Sequence, residues 1–140
     1  MTIEDRQQEI ISEFAMFDDW MQKYEYIIEL GKDLPLISEE NKKDDLLIRG
    51  CQSKVWLHAE NKSDGTIHFT GDSDAIITKG MVSLMIRVMD GMPAKAIAEA
   101  DLHFINDIGL TSHLSPTRSN GLASMVKQMK IYGAIYAEHA

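Results

Sequence analysis

The hydrophobic pattern of this chain changes period twice, and that change limits the folds open to it. Apolar residues recur at helical spacing before residue 32, alternate with polar residues between residues 54 and 60, and return to helical spacing from residue 77. Alternation is typical of a half-buried strand, whereas recurrence every three or four residues is typical of an amphipathic helix. Helices, then strands, then helices indicate an α+β fold with helices packed on a small sheet.

Capping residues bound the first two predicted helices. Thr2 is an N-cap with Asp5 three residues later, as in a capping box. Asp18 can cap a second helix, and Gly31 is a suitable C-terminal stop for it.

A three-stranded antiparallel meander is predicted between these helices and the rest of the chain. Its strands are 46–49, the alternating stretch from Lys54, and a stretch around Ile67 and Phe69. Residues 61–65 form the second turn, and Cys51 lies in the first connection. Ile48, Val55 and Leu57 would give that connection an apolar bed.

Two polar segments begin the main C-terminal helices. Ser73 and Asp74 are expected to open a helix by capping it. Its apolar stripe is Ile77, Met81, Leu84, Met85 and Val88. Ser115 as N-cap and Pro116 at the first helical position start the last helix.

Size and charge exclude several classes of function. The chain has 140 residues, which fits a single domain over 1–140, and its net charge is −8. An acidic balance argues against nucleic acid and against anionic membrane surfaces as partners. No apolar run approaches the ~20 residues that span a bilayer. The polar, acidic N-terminus does not resemble a signal peptide, so a cytoplasmic location is expected.

Cys51 is the only cysteine, and two interpretations of it are open. A lone thiol can be a small buried hydrophobic residue, or it can be a presented nucleophile. Gly50 lets the chain turn sharply before it, and Gln52 and Ser53 place hydrogen-bond donors beside it. A redox pair needs a second thiol, and an iron–sulfur scaffold or a structural zinc site needs several ligands rich in cysteine. Cys51 alone can form none of these sites. One thiol can still attack, be attacked or carry a group.

The histidines are candidates for a base or a metal site. If residues 61–65 form the hairpin loop, Glu60 faces Thr66 and His58 faces His68. No third ligand accompanies that histidine pair, so a solvated polar face is favoured over a metal site. A cysteine–histidine hydrolase would need one of the five histidines beside Cys51.

An arginine near the start of the last helix is placed against its local preference. Arg118 lies beside the positive end of the helix dipole, followed by Ser119 and Asn120. Either a surface ion pair or a functional role, such as stabilising an anionic sulfur, would explain it.

Three segments together resemble one family. GCQSKVWL, GDSDAIITKG and HLSPTRSNGL, in this order and separation, are similar to the SufE family of sulfur-acceptor proteins. The resemblance extends to about Lys130. It implies a fold like that of IscU-type scaffolds, with Cys51 as the sulfur acceptor and Asp74 and Arg118 near its loop. Gly50, Gln52, Ser53 and Asn120 would complete the surroundings of the thiol.

The resemblance also implies partners. A pyridoxal-phosphate cysteine desulfurase, SufS-like or CsdA-like, would supply the sulfur and be stimulated. A SufB-containing scaffold complex would receive it for iron–sulfur cluster assembly. The chain itself would be an accessory protein without cofactor or metal, and a homodimer stays open. We expect Cys51 to rest inward and to swing out about Gly50 on docking. A cysteine-dependent hydrolase and a desulfurase regulator whose thiol is incidental remain alternatives.

Overall fold

Helices lie on both sides of a short run of strands along the chain. The computed structural model describes residues 1–34, 46–48 and 54–138. The bounds of its elements are α1 Ile3–Phe14, α2 Trp20–Lys32, β1 Val55–Asn61, β2 Thr66–Ser73, α3 Ile76–Met89, β3 Met92–Pro93, α4 Ala94–Ala98, α5 Phe104–Asp107, α6 Leu110–His113 and α7 Pro116–Glu138. The α+β prediction is confirmed.

The sheet is antiparallel, in the order β1–β2–β3. β1 and β2 pair along their length, and the two-residue β3 joins β2 at the hairpin end, with Met92 opposite Ile67. The sheet therefore differs from the predicted one, because its third strand is Met92–Pro93 and not residues 46–49. In the part of the predicted first strand that the structure describes, the sheet contact is a single bridge between Leu47 and Trp56. Arg49 lies outside the described residues.

The hairpin register differs from the predicted one by two residues. Glu60 lies opposite His68, and His58 lies opposite Thr70, so the expected histidine pair is wrong. β1 continues through residue 61, and the Lys62 N–H donates to the Thr66 carbonyl at 2.8 Å. Only residues 63–65 remain as the loop, and Gly65 there takes the left-handed conformation, φ +85°, as in three-residue hairpin loops.

α3 is the central helix of the core. It packs against α1, α2, α7 and β2, and all five residues of its predicted apolar stripe are buried. Most of its other residues are buried as well, which is the composition expected of a helix covered on several sides.

The ends of the first two helices were predicted with mixed success. The Thr2–Asp5 capping box is present. The N-cap of α2 is Asp19, one residue later than predicted. Gly31 is not a stop. It lies inside α2, where a Cβ would come within 2.8 Å of the Gly80 backbone nitrogen on α3, so it serves a close helix crossing.

Candidate functional site

Hydrogen bonds fix the two ends of the connection that carries the cysteine. The Ile48 N–H donates to the Val55 carbonyl at 2.9 Å, next to the bridge of Leu47 with Trp56. Residues 49–53 join these paired ends. Four of the predicted site residues, Gly50, Cys51, Gln52 and Ser53, belong to this connection and lie outside the described residues. The structure therefore describes the residues on either side of the connection, and the position of the thiol stays a prediction.

The predicted helix start at Ser73 and Asp74 is instead a clamp on Lys54. The Asp74 carboxylate accepts a hydrogen bond from the Lys54 N–H at 3.0 Å, and the Asp74 N–H donates to the Lys54 carbonyl at 3.2 Å. The Ser73 hydroxyl donates to the same carbonyl at 2.9 Å. α3 begins later, after Ala75, which as N-cap makes no side-chain capping bond. The capping prediction is wrong because these polar groups bond across the sheet end.

A buried carboxylate lies beside this clamp. Asp72 is only 5% exposed, accepts from the Ser73 N–H at 2.8 Å, and lies 3.5 Å from the Lys79 ammonium. A buried charge requires such partners, because an uncompensated one would be strongly destabilising. Asp72 and Lys79 were not among the predicted site residues. No local signal identifies this pair, because the residues beside Asp72 in the chain, Gly71, Ser73 and Asp74, are small or polar.

The residues predicted to form an apolar bed for the thiol belong to the core, and the contact of the thiol with them stays a prediction. Ile48, Val55 and Leu57 are all buried. Met125 and Met129 of α7 line the same small internal space as these three residues. The last helix therefore faces, across this small space, the strand that leads away from the connection.

Arg118 and Asn120 lie on the first turns of α7. Ser115 caps this helix, as predicted, through a 3.3 Å hydrogen bond from the Arg118 N–H to its hydroxyl. Both predicted side chains are exposed. Within 1–34, 46–48 and 54–138, Arg118 makes no ion pair, so the surface ion-pair explanation finds no support there. Met125 is seven positions after Arg118, which puts both on the same side of the helix, about 10 Å apart along its axis.

Three of the histidines have partners away from the clamp. His68 Nδ1 lies 2.8 Å from the Asp90 carboxylate. His103 bridges two carboxylates, those of Asp107 and Glu4, at 2.6 and 2.7 Å. His113 stacks on the Trp20 ring. His139 lies outside the described residues, and among the residues that are described no three His, Cys, Asp or Glu side chains are grouped to hold a metal ion.

No helix in the described part of the chain combines the length and the apolar composition that crossing a bilayer requires.

Comparisons with known proteins agree with the sequence motifs. The family model described as SufE, Fe-S metabolism associated domain, matches residues 8–132. An uncharacterized SufE-like protein of Rhizobium etli is 42% identical over 126 residues, covering 87% of this chain and 85% of the relative. A second uncharacterized SufE-like protein, from Rhizobium meliloti, is 40% identical over 126 residues, covering 87% and 90%.

A solved structure shares the fold. The solution structure of a hypothetical protein from Thermus thermophilus superposes with a TM-score of 0.78 over 95% of this chain and 96% of that one, at 16% identity. At that identity the likeness concerns the fold alone. The family match and the two relatives, each covering most of this chain, show that the protein belongs to the SufE family, whose domain is associated with Fe–S metabolism.

Proposed function

We propose that this protein accepts sulfur on Cys51 from a cysteine desulfurase, stimulates that enzyme and delivers the sulfur for iron–sulfur cluster assembly. The observation that carries the proposal is the position of the only cysteine. In a chain of the SufE family, it belongs to a connection of five residues whose two ends are held by hydrogen bonds at Ile48 and Lys54.

The chemistry is a thiol–persulfide exchange. The Cys51 thiolate attacks the outer sulfur of a persulfide on the desulfurase cysteine. The sulfur–sulfur bond of that persulfide breaks, the desulfurase thiolate leaves with the electron pair, and a persulfide remains on Cys51. The exchange is redox-neutral and needs no cofactor on this chain. The absence of a second cysteine has a use here, because no internal thiol can expel the sulfur by forming a disulfide.

The fixed ends limit how far the thiol can travel. Position 51 is three residues from Ile48 and three from Lys54, so its Cα stays within about 11 Å of both. A swing of that size is enough to exchange an inward resting position on the apolar bed for an outward one. Shielding at rest protects a persulfide, which oxidants and stray thiols otherwise remove. Gly50 is the proposed hinge of this movement.

Arg118 is the proposed partner of the anionic sulfur. Met125 and Met129 of its helix line the same small internal space as Ile48 and Val55, which lie on either side of the connection. Arg118 lies about 10 Å along that helix from Met125, a separation comparable with the reach of position 51. Its exposed guanidinium has no ion pair among the described residues, so it is available to an anion. Gln52, Ser53 and Asn120 are proposed as neutral donors around the same sulfur.

The proposed partners follow from this chemistry. The sulfur donor is a SufS-like or CsdA-like desulfurase, and the recipient is a SufB-containing scaffold complex, all in the cytoplasm. Pyridoxal phosphate belongs to the donor enzyme.

Intact mass measurement tests the proposal. The protein is incubated with a cysteine desulfurase and L-cysteine, without reductant, beside a Cys51→Ser control. We expect a gain of one sulfur atom on the wild-type chain, none on the serine variant, and a rise in desulfurase turnover that needs the thiol. Stimulation by Cys51→Ser equal to wild type, with no mass gain on either chain, would instead identify a regulator. Turnover of p-nitrophenyl acetate by the protein alone, abolished by Cys51→Ser, would identify a hydrolase.

A further inference from the structure

An apolar groove runs along one face of α7, separate from the face that carries the buried Met125 and Met129. Its volume is about 650 Å³. We name it the α7 groove, and its main apolar walls are Leu102 and Ile105 on one side and Leu122, Val126, Ile131 and Ala134 of α7 on the other. The α7 residues that line it run from Ser119 to Ala134, which is about 22 Å of helix, or four turns.

The charged residues that line the α7 groove are both basic. Lys127 and Lys130 lie on its α7 side, three residues apart and therefore on the same face. Neither makes an ion pair within the described ranges. Between Pro116 and Ala137 the helix carries these two lysines and Arg118 but no acidic residue, in a chain with 22 acidic and 14 basic residues. The groove is thus a locally basic surface on an acidic protein.

We infer that the α7 groove binds an amphipathic helix of another protein, whose apolar face is flanked by Glu or Asp. Helices dock into apolar grooves through side chains spaced three, four and seven residues apart, and a groove of four turns fits a helix of about 15 residues. Carboxylates beside those apolar side chains would meet Lys127 and Lys130, which gives orientation and selectivity.

A second copy of the same chain fits the groove less well. A symmetric dimer places the same patch against itself. Here that arrangement would bring the lysines of both copies together, with no acidic side chain among the lining residues to offset them. The charges therefore favour a negatively charged partner over self-association. This inference does not depend on the sulfur-transfer proposal, because none of the groove residues is assigned to the thiol chemistry.

A designed peptide pair tests the inference. The first probe is a 16-residue helical peptide with leucines at i, i+4, i+7 and i+11 and glutamates flanking them; the second has lysine in place of every glutamate. Binding is measured by titration of ¹⁵N-labelled protein. We expect the glutamate peptide to shift amides of α5 and α7. We also expect Lys127→Glu/Lys130→Glu to weaken its binding about tenfold or more and to strengthen binding of the lysine peptide.

Two further variants separate binding in the α7 groove from a general effect of charge. Lys62→Glu/Lys95→Glu changes net charge by the same amount at exposed sites outside the groove and should leave binding close to wild type. Ala123→Gln, at an exposed position on the groove wall, should weaken binding by filling the space without disturbing the core.

Three results would overturn the inference. The first is a glutamate-peptide affinity that the groove charge reversal leaves unchanged. The second is a concentration-dependent dimer that Ala123→Gln abolishes, which would make the occupant a second copy. The third is binding of decanoate in the groove with no binding of either peptide, which would make it a small-amphiphile site.

Discussion

Asp74 holds Lys54 through both backbone polar groups of that lysine. Its carboxylate accepts from the Lys54 N–H at 3.0 Å, and its own N–H donates to the Lys54 carbonyl at 3.2 Å. Lys54 is the first residue after the connection that carries Cys51. The segment GDSDAIITKG therefore fixes one end of the cysteine connection, although it lies twenty residues further along the chain.

Replacing Asp74 with Ala should loosen that end. The lost hydrogen bond lies at an exposed backbone N–H, so we expect a loss of about 1 kcal/mol in the free energy of unfolding. We also expect faster alkylation of Cys51 by iodoacetamide. Urea denaturation and mass-detected alkylation measure the two effects. Asp74→Asn keeps an acceptor oxygen and should stay near wild type; equal alkylation rates in all three proteins would contradict the clamp.

Replacing Arg118 with Ala should slow persulfide formation on Cys51 about tenfold or more, because a charge-assisted hydrogen bond to the anionic sulfur would be lost. Stability should change by less than about 0.5 kcal/mol, since the side chain is exposed. Single-turnover sulfur transfer from a desulfurase measures the rate. Arg118→Lys should recover part of it, and an unchanged rate in Arg118→Ala would remove Arg118 from the mechanism.

Replacing Gly80 with Ala should force α2 and α3 apart. A Cβ at Gly80 would lie 2.2 Å from the Ile27 carbonyl oxygen, and backbone cannot move aside cheaply. We expect the free energy of unfolding to fall by about 3 kcal/mol or more, which is the upper end of the range for overpacked cores. Gly91→Ala is the matched control. A Cβ there would meet no atom within 4 Å. Only its left-handed φ of +74° disfavours alanine, and we expect a loss of about 1 to 2 kcal/mol in the free energy of unfolding. Thermal or urea denaturation compares them, and equal losses would refute the close crossing.

His103 should make stability depend on pH. Hydrogen bonds to Asp107 and then Glu4 raise the pKa of this imidazole above its ordinary value. A raised folded-state pKa means that its contribution is complete below the unfolded value near 6.5 and is lost as pH rises through the folded value. Between the unfolded and folded pKa values of His103, the free energy of unfolding of the wild type should fall as pH rises. We expect this fall to be smaller in His103→Gln.

Urea denaturation at a series of pH values checks this prediction. His113→Gln is the control, because His113 Nδ1 bonds a backbone carbonyl at Gly109 and no carboxylate. If His103→Gln and wild type lose stability in parallel as pH rises, the carboxylate bridge does not stabilise the contact between α1 and α5.

Local signals predicted much of the architecture. The Thr2–Asp5 capping box, the Ser115–Pro116 helix start and the apolar stripe of α3 depend on residues within a few positions of one another. Such features can be read from spacing because the interactions that create them are short in sequence. The family was likewise predicted, from motifs whose order and separation are visible in the chain.

Long-range pairing was where prediction failed. Residues 61 and 62 pair with β2 instead of belonging to the hairpin loop, and this shift of two residues places Thr70 rather than His68 opposite His58. Gly31 looked like a helix stop because its contact, Gly80, is 49 residues away. In both cases the local pattern was compatible with two arrangements, and a distant contact selected between them.

The sequence by itself determined the α+β class, the single thiol and the family, because hydrophobic period, cysteine count and motif order are properties of the chain alone. The tertiary structure decided what Asp74 does, since a carboxylate near a helix start can equally cap that helix or bond another strand. It bonds Lys54 because the antiparallel pairing of Val55 with Ser73 brings that backbone N–H within reach.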